Sequence, residues 1–410
     1  MNNTPALFGG ERAKQTPYGV GEPRYGDDEL RELQEALAQN TLFYAQGKKV
    51  KLLEAEFAEK YGVKHAVTCT SGTAAIHTAL MALGISPGDE VIVSPITDMG
   101  TISPVLFQGA IPVFADLTPH GYTLDPDSVA ERITPKTRAI IAVHLWGNTC
   151  DLDALQALCD RHGLALIEDA AQAFGATYKG CPVGTRGAVG CFSFNEFKHI
   201  SCGDGGLVLT DDDALAEKLR LATDKGYNRR PDALVRQPTF LANNYRMTEL
   251  QGAVARAQLR KLDGIVEKRR AWCNRLTAKL IGTPGITLPE ATHGVDPSWW
   301  FYLLRVVPEA LGTDADGLTK ALAAEGVRAG AHYIGDPIYR YPIFTGKSAF
   351  AHAPHACDTV DWEAQRCPVA EQILETGVMI PVNEANTETD ADEVAFAIKK
   401  IVAWYGKGGA

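Results

Sequence analysis

Four short apolar runs constrain the fold most: Glu90-Val-Ile-Val-Ser94, Ile111-Pro-Val-Phe-Ala115, Arg138-Ala-Ile-Ile-Ala-Val143 and Leu164-Ala-Leu-Ile-Glu168. Their hydrophobicity is continuous rather than alternating, so both faces of each strand are buried. A mostly parallel sheet covered by helices on both sides meets that demand. The intervening sequence supplies the helices. Asp27 to Asn40 and Lys48 to Tyr61 place apolar residues three and four apart, and Asp151 to His162 lies between two of the runs. His65-Ala-Val-Thr-Cys69 is a further strand, after which Ser71-Gly-Thr73 opens a helix, Ala74 to Leu83. Val189 to Phe194 and Gly206 to Thr210 flank a loop, and Asp211-Asp-Asp213 caps the next helix.

A long helical stretch, Met247 to Leu280, leads into a different pattern. Trp300 to Val307 reads as a strand, with Asp314 to Glu325 and Thr389 to Trp404 as helices, an α+β arrangement around a shorter sheet. The 410 residues therefore divide into an N-terminal arm (1–27), a large domain (28–265) and a small C-terminal domain (266–410). Segment 335–360, rich in Pro, His and aromatics, reads as the longest loop.

A formal net charge of -10 gives no electrostatic support for a nucleic-acid or membrane-surface role. No apolar stretch approaches the ~20 residues that span a bilayer, and the first residues lack the pattern of a signal peptide. The nine cysteines form no CxxC pair and the histidines are scattered, so no metal site is expected. An odd cysteine count without a compact framework points to reduced thiols and a cytoplasmic location. Cys202 reads as a small packing residue.

Three features carry chemistry. Thr70-Ser-Gly-Thr-Ala-Ala75 puts Ser71, Gly72 and Thr73 at a helix start directly after a strand, where free N–H groups and the helix dipole form an anion site; a simple cap has the same text. Ile167-Glu-Asp-Ala-Ala-Gln-Ala-Phe-Gly175 sets Asp169 at the carboxyl end of a buried strand, the edge where open α/β sheets bind ligands. A buried carboxylate there needs a cationic partner, which a protonated pyridine nitrogen supplies; an N-cap or salt bridge is the alternative. Lys198 lies between apolar, aromatic text and a glycine cluster in Cys191-Phe-Ser-Phe-Asn-Glu-Phe-Lys-His-Ile-Ser-Cys-Gly-Asp-Gly-Gly206, with Ser193 five residues before it. Desolvation in a closed pocket lowers such an amine's pKa and frees it as a nucleophile. An anion cradle, a strand-end carboxylate and a pocketed lysine together are what pyridoxal 5'-phosphate requires.

The order Thr-Ser-Gly-Thr, Glu-Asp-Ala-Ala-Gln-Ala-Phe-Gly, Ser-Phe-x-x-x-Lys-x-x-x-x-Gly-Asp-Gly-Gly and Asn-Tyr-Arg-Met-x-Glu-Leu-Gln resembles the DegT/DnrJ/EryC1/StrS family over nearly the whole chain. The resemblance implies a fold type I pyridoxal-phosphate-dependent transferase with a seven-stranded, mostly parallel sheet. It implies a sugar or cyclitol aminotransferase, taking nitrogen from glutamate or glutamine and passing it to a keto sugar, free or nucleotide-linked, or a ketocyclitol. On its pattern Lys198 carries the internal aldimine and shuttles the proton, and Asp169 pairs with the pyridine nitrogen. Gln172 contacts the side of the ring with the phenolic oxygen. Gly72, Thr73 and Ser193 hold the phosphate, with Ser71 beside them. Asn244 reaches the phosphate of a neighbouring subunit, which implies a homodimer with shared sites. His332 and Tyr333 match the His-Tyr before the family's substrate loop, and Arg229 and Arg230 lie where a partner loop approaches the substrate.

Two positions depart from the family pattern. Ser94-Pro-Ile-Thr-Asp-Met-Gly-Thr101 puts Asp98 where an aromatic usually stacks on the ring, so Met99 covers the ring, the loop is displaced, or Asp98 meets a polar substrate. Trp299-Trp300 stands where the family often has a histidine. Leu7-Phe-Gly-Gly10 resembles the start of members acting on free ketocyclitols or keto sugars. Family dehydratases usually replace the lysine with histidine, so Lys198 weighs against that activity. A non-catalytic binding or regulatory protein has no need of both Lys198 and Asp169.

Overall fold

The computed structural model describes residues 4–16, 23–229, 233, 237–350, 355–406 and 408. Seven strands build the main sheet: β1 (His65–Cys69), β2 (Glu90–Val93), β3 (Ile111–Phe114), β4 (Thr137–Val143), β5 (Ala165–Asp169), β6 (Val189–Ser193) and β7 (Gly206–Thr210). Their order is β1-β7-β6-β5-β4-β2-β3. All pairings are parallel except those of β7, which runs antiparallel to both neighbours. The mostly parallel sheet expected from the apolar runs is thus present, with the seven strands that the family resemblance implies. Every residue of β6 and β7 is buried, as burial on both faces demands.

The register decides where a ligand can sit. Asp169, the last residue of β5, pairs with Val143 on one side and Cys191 on the other. Gly206, the first residue of β7, lies between Ser193 and Cys69, the last residues of β6 and β1. The ends of β1, β4, β5 and β6 therefore meet along one edge, the carboxyl edge of the parallel strands.

The helices read from apolar spacing form close to the expected limits: Asp27–Ala38, Lys49–Tyr61, Gly72–Leu83, Leu152–His162 and Asp213–Thr223. Among helices of seven residues or more, three have no counterpart in that reading: Met99–Phe107, Pro126–Arg132 and Pro368–Thr376. Each contains a proline, tolerated at the start of the latter two. Pro104, inside Met99–Phe107, removes one backbone donor, and that helix is apolar without a polar face, which erases the periodic signal.

The long helix, Glu249–Leu280, has 32 residues and is about 48 Å long. Thr248 and Gln251 close a capping box at its start. Near that end Arg256 and Arg260 pair with Glu32, and near the other Arg275 pairs with Asp392 on the C-terminal helix. It runs unbroken through residue 265. Beyond it lies an antiparallel sheet of Ile286–Thr287, Phe301–Val306, Gly377–Pro381 and Gly330–Ala331, in that order. Helices Ala315–Ala324 and Glu388–Tyr405 accompany it, the smaller α+β unit expected.

The part of the arm around Ala6 to Ala13 packs on this second unit. Phe8 stacks on Trp404 with ring centres 5.2 Å apart, and the Glu325 carboxylate accepts the N–H groups of Ala6 and Ala13. Gly10 has no room for a Cβ, which would lie 1.8 Å from the Thr4 carbonyl oxygen. The Leu7-Phe-Gly-Gly10 motif is therefore accounted for by packing. The nine cysteines are all unpaired. Among the described residues no cluster could hold a metal ion, and no helix is long and apolar enough to cross a membrane.

Candidate active site

The carboxyl edge opens into a cavity of about 350 Å³. Ser71, Gly72, Thr73, Asp98, Asp169, Ser193 and Lys198 all line it, so seven residues singled out from sequence come together in one place. A second cavity of about 530 Å³ adjoins, and Lys198 and Phe197 line both. Lys198 thus stands at the boundary between an inner and an outer chamber.

The floor of the inner chamber is the start of helix Gly72–Leu83. Ser71 is its N-cap, accepting the Ala74 N–H at 3.0 Å. The N–H groups of Gly72 and Thr73, the first of the helix, have no intrahelical acceptor and face an anion site. A Cβ on Gly72 would meet the Ser193 Cβ at 2.6 Å, and one on Gly206 would meet the Ser71 carbonyl oxygen at 2.1 Å. Both glycines let the helix start settle onto the sheet edge, bringing the Ser193 hydroxyl beside the free amides.

Asp169 is only 6 % exposed. Thr101 Oγ1 donates to its Oδ2 at 2.7 Å and the Ala171 N–H to its Oδ1 at 3.2 Å. Among the described residues it has no salt bridge. Burial raises its pKa above the ordinary carboxylate range, with Thr101, Ala171 and the positive charge of Lys198 working against that rise. A buried acid held only by neutral donors is the natural counterpart of a cationic ring nitrogen. Its neighbour Glu168 faces the other side of the strand. There it is bonded by His144 Nε2 at 3.0 Å and by the N–H groups of Gly184, Arg186 and Gly187. Of the two adjacent carboxylates, Glu168 builds the fold and Asp169 faces the chamber.

The Lys198 amine lies 4.0 Å from the centre of the Trp300 ring. Burial lowers its pKa, with Asp169 and Asp98 pulling the other way. The neutral, nucleophilic form is thereby made more available. Cys202, by contrast, has its thiol pushed up to about 12 by burial, as befits a packing residue.

Asp98 is the N-cap of helix Met99–Phe107, accepting the Gly100 N–H at 2.7 Å, and it lines the inner chamber. Met99 is not among the lining residues. Thr101, missed from sequence, sits one helical turn along and orients Asp169; the signal available was its place three residues after a capping aspartate. Of the Trp299-Trp300 pair, Trp299 packs into the core against Trp146 and Tyr302, while Trp300 faces the outer chamber.

Other expected residues stand elsewhere. Gln172 is buried and lines neither chamber: its Oε1 accepts the Trp146 N–H at 2.9 Å, and its Nε2 lies 3.5 Å from the Tyr333 hydroxyl. Tyr333 lines the outer chamber. His332 does not. Its ring is held by the Leu374 carbonyl at 3.0 Å and Asp316 at 3.2 Å. Arg229 pairs with Asp224 at 2.7 Å and lines a separate cavity with Tyr44 and Arg246. Asn244 is exposed and bridges Asp224, away from this chain's own chambers. Arg230 lies outside the described residues.

Amine, carboxylate and anion cradle lie along one chamber, and a family model built on aminotransferases matches residues 23–399. The chain belongs to the DegT/DnrJ/EryC1/StrS aminotransferase family. This aminotransferase is 35 % identical over 386 residues to GDP-perosamine synthase of Caulobacter vibrioides, covering 93 % of this chain and 98 % of that protein. It is 32 % identical over 397 residues to the spore coat polysaccharide biosynthesis protein SpsC of Bacillus subtilis, covering 94 % and 97 %. Among solved structures, the aminotransferase from Psychrobacter cryohalolentis superposes with a TM-score of 0.84 at 31 % identity, covering 94 % of this chain and 98 % of that one.

Proposed function

We propose that this aminotransferase uses pyridoxal 5'-phosphate to move an amino group from glutamate or glutamine to a keto sugar, free or nucleotide-linked, or to a ketocyclitol. The observation that carries the reading is the placement of the Lys198 amine and the Asp169 carboxylate in one chamber whose floor is a helix start. The residues fit the coenzyme. The Gly72 and Thr73 amides and the Ser193 hydroxyl would hold its phosphate, and Asp169 its ring nitrogen. When bound, the coenzyme supplies an electron sink for the bond broken at the substrate carbon.

The chain's own residues do the rest. Lys198 Nζ, whose neutral form desolvation favours, would be the nucleophile that holds the coenzyme. The same nitrogen would serve as the base that takes and returns the proton at the substrate carbon. Asp169 would hold the coenzyme's ring nitrogen through its carboxylate, whose orientation Thr101 fixes. Trp300 and Tyr333 wall the outer chamber, where the acceptor enters.

The names of the two curated relatives, one concerned with a polysaccharide and one with GDP-perosamine, support a sugar acceptor. The presence of lysine rather than histidine at 198 favours transamination over dehydration. A homodimer with shared sites is part of the reading. Asn244 and Arg229 lie outside this chain's own chambers, and Phe197 at their rim is 76 % exposed, apolar surface that a second copy would cover. Unpaired cysteines accord with a cytoplasmic enzyme.

The test is to supply the coenzyme, glutamate or glutamine, and a panel of free and nucleotide-linked keto sugars and ketocyclitols. The expected result is release of the donor's keto acid together with an aminated acceptor detected by mass. Failure of both donors to yield a keto acid would overturn the reading.

A further inference from the structure

The loop that carries Lys198 is gripped from two distant parts of the chain. Its backbone folds back between β6 and β7, with the Phe194 N–H on the Gly205 carbonyl and the Cys202 N–H on the Phe194 carbonyl. The Lys198 N–H closes a turn onto the Asn195 carbonyl at 2.9 Å. That leaves the carbonyls of Glu196, Phe197, Lys198 and His199 to be satisfied from outside the loop. Arg24 satisfies three of them. One terminal nitrogen donates to the Glu196 carbonyl, and the other to the carbonyls of Lys198 and His199, the last at 2.8 Å. Trp300 supplies the fourth bond, from its indole N–H to the Phe197 carbonyl at 2.7 Å, while its ring lies against the Lys198 amine.

Arg24 is itself held in place. Its own carbonyl accepts from Gln258 Nε2 on the long helix at 3.1 Å, and the next residue, Tyr25, donates to the Glu196 carboxylate. The guanidinium also lines the outer chamber, but among the described residues every bond it donates goes to the loop. A planar fork fixes its five donors in set directions, whereas an ammonium group is a compact, rotatable point of charge.

We propose that Arg24, with Trp300 opposite it, is a positioning residue: it clamps the carbonyls of residues 196–199 and so fixes where the Lys198 amine stands between the two chambers. The inference rests on Lys198 being the reactive amine. It assigns to the start of the chain a part in catalysis that its sequence does not announce, since Glu22-Pro-Arg-Tyr25 carries no motif. With the clamp loosened, the loop admits water and the amine samples positions that do not face the reacting atom.

The test compares the parent with Arg24→Gln and Arg24→Lys. Each apoprotein is treated with pyridoxal, the aldehyde without its phosphate, across a pH series and reduced with borohydride, and the Lys198 peptide is quantified by mass. Rehydration of the amine should move the midpoint of labelling in Arg24→Gln upward by about one pH unit. In the coenzyme-loaded enzymes, kcat should fall roughly tenfold to a hundredfold with KM for the donor changed less than about threefold. Arg24→Lys, which keeps the charge and loses the fork, should fall between the two. If Arg24→Gln does not fold, the lysine variant alone decides by the same two readings. Labelling midpoints and kcat equal to the parent's would overturn the clamp while leaving Lys198 as the reactive amine. A parent whose Lys198 is never labelled would overturn both.

Discussion

Thr101 Oγ1 donates to Asp169 Oδ2 at 2.7 Å, which ties the first helical turn after Asp98 to the last residue of a central strand. Without that hydroxyl the buried carboxylate keeps one donor, the Ala171 N–H. In Thr101→Val the Asp169 pKa should rise further, because a bond to the charged form is lost. Only the ionised form holds a cationic ring, so coenzyme affinity falls as pH drops through the Asp169 titration, and the variant moves that fall to higher pH. A loss of about 1–3 kcal/mol is expected near neutrality, read as a weaker dissociation constant by spectral titration. An unchanged pH profile would remove Thr101 from the site.

Asp169→Asn keeps the shape and removes the charge. Turnover should drop by about two orders of magnitude or more, with the circular dichroism spectrum unchanged. Near-normal turnover would rule out the electron-sink role.

Gly72→Ala tests the anion cradle. The added Cβ would stand 2.6 Å from the Ser193 Cβ, so the helix start must move away from the sheet edge. Overpacking of this kind costs about 1–3 kcal/mol. The expected signature is weaker binding of the phosphorylated coenzyme with little change for pyridoxal, which lacks the phosphate. Equal losses for both aldehydes would assign Gly72 to packing alone.

Glu168 governs acid stability. Burial raises its pKa, but the His144 bond and charge, with the Gly187 and Gly184 amides, outweigh that and leave it below its ordinary 4.5. A carboxyl with a depressed folded pKa stabilises the protein above its unfolded pKa, and that contribution is lost as pH falls through the folded value. The parent should therefore lose stability below about pH 4.5 through this group. Glu168→Gln should be less stable near neutrality by about 3–5 kcal/mol and show a shallower acid limb in denaturant melts. Parallel acid limbs for the two proteins would contradict the assignment.

The main sheet was legible because burial on both faces leaves continuous apolar runs, and the inner chamber because its chemistry is local to three short motifs. From sequence, Asp169 could be placed at a strand end, the Ser71-Gly72-Thr73 turn at a helix start and Lys198 in the loop between two strands. What escaped depends on distance along the chain. Thr101 meets Asp169 across 68 residues, and Arg24 meets Lys198 across 174. His332 shows the converse: a local motif match does not fix the direction of a side chain, and Asp316 holds its ring. Trp299 and Trp300 are adjacent in sequence, yet one packs in the core and the other faces the chamber.

The central claim is that the amine of Lys198 attaches the coenzyme. Borohydride reduction of the protein incubated with pyridoxal 5'-phosphate, followed by peptide mass mapping, tests it most directly. The account predicts a single phosphopyridoxyl adduct on Lys198, absent from Lys198→Ala and from parent protein first converted with excess glutamate. An adduct on other lysines only, or an unmodified Lys198 under saturating coenzyme, would contradict it.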